Sequence, residues 1–138
     1  MIPSVPFSVH RWSDHSELER CTAALAAEID ARANRQRARK ASTRPKFLSA
    51  IRLLILNAYA CFKVSPTLTF GVSLGRDAFK PGSPYAAMRL SYTAFKNAVD
   101  GLVALSLLEI VALGFQDPRN GHRENTKIRG TKPLVMRL

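Results

Sequence analysis

Cysteine, histidine and acidic residues are scarce in this chain, and each scarcity closes a class of function. The two cysteines, Cys21 and Cys61, each sit in a segment that reads as apolar helix. Such thiols are expected to be reduced and packed, not joined in a disulfide. His10, His15 and His122 stand at no metal-ligand spacing with them, so no metal site is expected. No glycine-rich phosphate loop with a lysine, no HExxH and no nucleophile–base set occurs. The acids Asp77, Asp100, Glu109, Asp117 and Glu124 are scattered, whereas metal-dependent nuclease chemistry needs carboxylates that converge. An enzyme, a cofactor and a small-molecule substrate are therefore not expected.

Long hydrophobic runs are lacking as well. The N-terminal stretch through Phe7 has neither a charged leader region nor an extended apolar segment. The longest apolar run, residues 47–62, is short for a bilayer and is interrupted by Arg52 and Asn57. The expectation is a soluble, cytoplasmic protein with no membrane partner.

Positive charge is abundant. Twenty-one Lys and Arg face ten Asp and Glu, a formal net charge of +11 in 138 residues. Residues 1–30 are net −3 and the remainder net +14. An excess of this size repels itself, and a polyanion is the natural partner.

The pattern along the chain divides it into residues 1–44, an N-terminal helix with a basic arm or linker, and residues 45–138, a folded domain. Residues 1–12 read as irregular. Ser13 or Ser16 can cap a helix, with Ser16-Glu17-Leu18-Glu19 matching a capping box, and Leu18, Cys21, Leu25 and Ile29 form a thin apolar stripe. That helix can run to about Lys40. Its basic second half, with Arg35, Arg39 and Lys40, is either a solvated helix end or an arm lying along phosphates. The stripe is free to pack on the domain or to pair with a second copy.

Thr43-Arg44-Pro45 opens a core helix over residues 46–62. Residues 67–74 alternate as a strand with one buried face, and residues 75–84 read as loop. A short helix follows Ser83-Pro84. Ser91 caps a longer helix over residues 92–107, which carries Gly101 at a cost of about 1 kcal/mol unless something packs closely there. Residues 109–115 read as strand, Asn120-Gly121 as a hairpin turn, and residues 126–129 as the returning strand.

This order of helix, strand, short helix, turn, long helix and β-hairpin resembles the winged helix-turn-helix superfamily over about residues 45–132. Met88-Arg89-Leu90-Ser91 looks like the tight turn of the helix pair, with Leu90 buried. The stretch from Tyr92 to Leu102 looks like a recognition helix, residues 105–110 like the passage into the wing, and residues 110–129 like the wing. Ser106 stands where many relatives have glycine. The segment 126–134 after Gly114-Phe115 is loosely similar to plasmid and phage replication-initiator-like proteins, and transcriptional repressors share the architecture. The fold class implied is α+β, a winged helix-turn-helix with an N-terminal helical extension.

The resemblance implies double-stranded DNA as partner, in transcriptional regulation or replication initiation of a bacterial, plasmid or phage element. Ser91, Tyr92, Thr93, Lys96 and Asn97 would face the major groove, with Arg89 beside them. Asn97 suits adenine, Lys96 a guanine or phosphate, and Asp100 stands at i,i+4 to orient Lys96. Arg119, His122, Arg123, Lys127 and Arg129 would make a basic wing against phosphates or the minor groove. Each of these residues is also what a solvated surface contains. A palindromic site would imply a homodimer through the N-terminal helix. The alternatives are an RNA-binding protein, against which the sparse aromatics of this surface argue, and a protein–protein interaction module.

Overall fold

The computed structural model describes residues 2–8, 15–32, 44–116, 119 and 123–137, the side chains of residues 15, 16, 115, 116, 123 and 124 excepted. Its architecture is α+β: among the described residues, five helices and a four-stranded mixed sheet.

Helix α1, His15–Arg32, buries Leu18, Leu25 and Ile29 of the expected stripe, with its fourth member Cys21 half-buried and Ala26 buried beside them. Residues 33–43, and with them the expected continuation to Lys40, lie outside the described residues. Helix α2, Arg44–Val64, has Pro45 in its first turn and is buried on most of its circumference. At 21 residues it is long and apolar enough to cross a bilayer, so the length argument made from residues 47–62 does not hold. Burial replaces it, because more than half of its most apolar stretch is covered by the rest of the protein, as a core helix must be. Its polar residue Asn57 is 1% exposed, and its hydrogen bonds are met. Nδ2 donates to the carbonyls of Ser8 (2.8 Å) and Leu53 (2.7 Å), and Oδ1 accepts from the Ser8 amide (2.9 Å).

Asn57 thereby holds a strand that the sequence hid. Residues 1–12 were expected to be irregular, yet Ser4–Pro6 forms β1, parallel to β2 (Thr69–Val72) in the register Ser4↔Thr69 to Pro6↔Gly71. A three-residue strand containing proline has no readable alternation, and the partner makes it a strand. Both the amide and the hydroxyl of Thr69 donate to the Pro3 carbonyl, at 3.0 and 2.8 Å. β2 is shorter than the expected 67–74, and all four of its residues are buried, so the single buried face expected from the alternation does not hold.

The sheet order is β1-β2-β6-β3, where β3 is Leu108–Ala112 and β6 is Thr126–Gly130. Both β2 and β3 run antiparallel to β6. The strand expected over 109–115 is broken. Ile110 faces Ile128 and Ala112 faces Lys127, so Val111 is an extra residue that bends the strand. The Gly114 amide then donates to Thr126 Oγ1 (2.9 Å). Phe115–Gln116 (β4) and Arg123–Glu124 (β5) make a separate two-stranded ladder. Of the expected turn over 117–122, only Arg119 is among the described residues, and it is exposed.

Between β2 and β3 lie three helical pieces. Arg76–Phe79 forms a 3-10 turn inside the segment expected to be loop. Helix α3, Pro84–Ala87, is capped by Ser83, whose Oγ accepts from the Ala86 amide (3.2 Å). Helix α4, Tyr92–Ala104, is capped by Ser91 in the same way on the Ala94 amide (3.4 Å). It ends three residues before the expected Leu107, because Ser106 takes φ +60° and turns the chain. A last helix, α5, Lys132–Arg137, follows β6, and Arg137 holds the Glu28 carboxylate with two hydrogen bonds.

One hydrophobic core joins these elements, and it takes in Leu18, Leu25, Ala26 and Ile29 of the N-terminal helix along with α2, α4 and the sheet. Gly101 lies where α1 crosses α4. A Cβ at Gly101 would meet Ile29 Cγ2 at 2.5 Å, which supplies the close packing its position requires.

Candidate nucleic-acid interface

The corner between α3 and α4 is built by backbone geometry. The Arg89 amide donates to the Ala86 carbonyl (3.0 Å) and the Leu90 amide to the Tyr85 carbonyl (3.1 Å). These are the 5→2 and 6→1 bonds of a Schellman ending, with Arg89 at the left-handed position, φ +60°. Leu90, the next residue, is 5% exposed, as the turn of a helix pair requires. Ser91 then caps α4 directly, so the two helices are joined with no slack.

Behind this corner stands an aromatic cluster. Phe95 of α4 lies 5.5 Å from Tyr85, 5.5 Å from Phe79 and 5.6 Å from Phe7 between ring centroids. Phe79 stacks on Tyr85 at 4.9 Å, and the Ser73 amide donates to the Tyr85 hydroxyl oxygen (2.9 Å). Burial pushes the Tyr85 phenol above its ordinary pKa, with the Ser73 bond pulling partly the other way, so it remains a neutral anchor. The 3-10 turn, the N-terminal segment and α3 are in this way all tied to the first turns of α4.

The two faces of α4 differ sharply. Ala94, Phe95, Ala98, Val99 and Leu102 are buried. Thr93, Lys96, Asn97 and Asp100 are exposed. Lys96 Nζ lies 3.2 Å from Asp100 Oδ2, the pairing its spacing suggested. Ser91 is half-buried and its oxygen is engaged in the cap. Tyr92 is also half-buried. Its ring meets the edge of Phe79 at 6.0 Å and carries the Arg76 guanidinium, Cζ 4.9 Å from the centroid. Such a contact is worth about 0.5–1 kcal/mol at an exposed site. Arg76 and Lys80 escaped the sequence reading because nothing in a loop-like segment marks them as neighbours of a helix start. Lys80 is ion-paired with Asp77 at 3.6 Å. Arg89 is exposed and, among the described residues, has no carboxylate partner.

The strand residues form a second group. Lys127 and Arg129 alternate with the buried Thr126, Ile128 and Gly130, so they lie on the face of the sheet away from the core. Arg129 Nη2 is 3.0 Å from Glu109 Oε2 across the ladder, and Lys127 has no carboxylate partner among the described residues. Arg123 sits on β5, with its side chain outside the described residues. His122, Arg35, Arg39 and Lys40 lie outside them entirely. The structure thus brings Arg76, Tyr92 and Phe79 together at the start of α4, and Arg129 and Glu109 together on the sheet.

Cys61 is buried and Cys21 half-buried, and both are free thiols whose pKa burial raises. No family model, curated protein or solved structure matches this chain.

Proposed function

We propose that this chain binds double-stranded DNA as a winged helix-turn-helix protein, with α4 as the helix that enters the major groove. The observation that carries the reading is the tight α3–α4 corner, which leaves Thr93, Lys96, Asn97 and Asp100 exposed on the outer face of α4, opposite a well-packed inner one. The frame around it fits: α2 and β2 precede the helix pair, and β3 and β6 follow it in the sheet order β2-β6-β3. A helix of 13 residues is about 20 Å long, and the major groove admits one. Asn97 pairs with an adenine edge, Lys96 exchanges Asp100 for a guanine or a phosphate, and Thr93 touches the backbone or a thymine methyl.

The hairpin that continues β3 and β6 is the wing, with Arg119, Arg123, Lys127 and Arg129 toward the phosphates. The formal charge of +11 supplies the long-range attraction. A cytoplasmic regulator of transcription, or an initiator of replication, on a bacterial, plasmid or phage element is the role that follows. The test is charge reversal on both surfaces. The double variant Lys96→Glu, Arg123→Glu is expected to keep its fold by circular dichroism and to lose duplex binding. Unchanged affinity in that folded variant would remove the proposed surface.

A further inference from the structure

We propose that Arg76, held over the ring of Tyr92, is a fixed phosphate contact at the start of α4. This rests on the duplex-DNA reading and assigns a residue to it from outside the helix pair and the wing.

Arg76 is exposed and opens the 3-10 turn that leads from β2 into α3. Among the described residues it has no carboxylate partner. Other surface guanidiniums are held differently: Arg52 by Glu19, Arg129 by Glu109 and Arg137 by Glu28. Arg76 is held by an aromatic face instead, 4.9 Å from the Tyr92 centroid. The difference matters to an anion. A carboxylate neutralises a guanidinium and occupies its N–H donors, whereas a ring face takes neither its charge nor its donors. A guanidinium placed this way is already ordered, is weakly hydrated and can offer a two-pronged donor edge to a phosphate.

The turn that carries it is anchored. Phe79, three residues on, packs against Tyr85, Tyr92 and Phe95. Arg76 is therefore fixed relative to α4 through two contacts, its own on Tyr92 and that of its turn on the aromatic cluster. When the N-terminal end of a helix lies in the major groove, the flanking phosphates pass beside that end. Tyr92 is on this account also a positioning residue, because its ring face supports the Arg76 guanidinium.

The experiment is anisotropy of a labelled duplex at several salt concentrations, with wild type, Arg76→Ala, Tyr92→Phe, Tyr92→Leu and the double variant Arg76→Ala, Tyr92→Leu. Arg76→Ala is expected to weaken binding equally on all duplex sequences and to reduce the slope of log affinity against log salt by about 0.9, the loss of one phosphate contact. Tyr92→Phe, which retains the ring face under the guanidinium, is expected to hold the salt slope closer to wild type than Tyr92→Leu does. Tyr92→Leu moves slope and affinity toward Arg76→Ala, and the double variant is no weaker than Arg76→Ala alone. An Arg76→Ala slope and affinity equal to wild type overturn the assignment while the DNA reading stands. Wild type that fails to bind duplex at low salt overturns the DNA reading and this assignment with it.

Discussion

Helices α3 and α4 end in the same way for different ends. At each, a residue other than glycine takes φ +60°, Arg89 in one and Ser106 in the other. At each, the next residue is a buried leucine whose amide closes the 6→1 bond, Leu90 to Tyr85 and Leu107 to Leu102. The surroundings differ. The Ser106 carbonyl accepts from Thr131 Oγ1 (2.7 Å), and Thr131 leads into α5, so this corner is braced by the C-terminal segment. Arg89 is exposed, and among the described residues no hydrogen bond or ion pair holds its side chain. The glycine that α4 does contain, Gly101, serves closeness to Ile29, not backbone freedom. At these two helix ends a residue other than glycine takes the left-handed backbone, although Gly82 takes φ +87° in the preceding loop, while Gly101 stands where two helices touch. Under the proposed function the Arg89 side chain reaches a phosphate beside α4, a use that Ser106 does not have.

Several substitutions break or sharpen this comparison. Truncating either buried leucine, Leu90→Ala or Leu107→Ala, is expected to cost about 2–5 kcal/mol in urea unfolding, the usual range for a buried leucine. Equal costs would mark the two corners as equivalent for stability. Gly101→Ala is expected to cost about 1 kcal/mol net, since overpacking of about 1–3 kcal/mol against Ile29 exceeds the helix gain of about 1. In an Ile29→Ala background the sign should reverse, and a cost that persists there would mean that Ile29 is not the obstacle.

The sharpest pair is Arg89→Gly against Ser106→Gly. Both relieve a left-handed residue and are expected to stabilise by up to about 1 kcal/mol, reduced by the entropy glycine adds to the unfolded chain. Only Arg89→Gly should weaken duplex binding, with the salt slope shallower by about 0.9. Equal DNA affinity in the two would erase the distinction between the corners. The smallest effect concerns the brace. Arg137 holds the Glu28 carboxyl below its ordinary pKa, mainly by hydrogen bonding. A carboxyl depressed in the folded state contributes stability above its unfolded pKa and loses it as pH falls through the lowered one. The pair is substantially exposed, so Arg137→Ala should cost no more than about 0.5 kcal/mol near pH 7, and the gap from wild type should close in the acid range below the folded pKa.

Much of this was legible in the sequence because it was periodic. The α1 stripe, the core helix and the helix starts at Ser83 and Ser91 follow from spacing or from cap chemistry, and the buried Leu90 from the resemblance of its turn. What was not legible depends on partners distant in the chain. β1 exists because Asn57 and Thr69 hold it, across separations of 49 and 66 residues. The left-handed turn at Ser106 ended α4 early with no glycine to announce it. Arg76 lay in a stretch whose Gly, Pro and Asp content reads as loop, and only folding places it on Tyr92.

The central claim is that the outer face of α4 reads duplex sequence. It is tested most directly by selecting from a random duplex library with the full chain and measuring affinity for the enriched pool across salt. The account predicts a defined enriched motif and affinity that falls steeply as salt rises. Salt-dependent binding with no enriched motif, or no duplex binding at low salt, would contradict it.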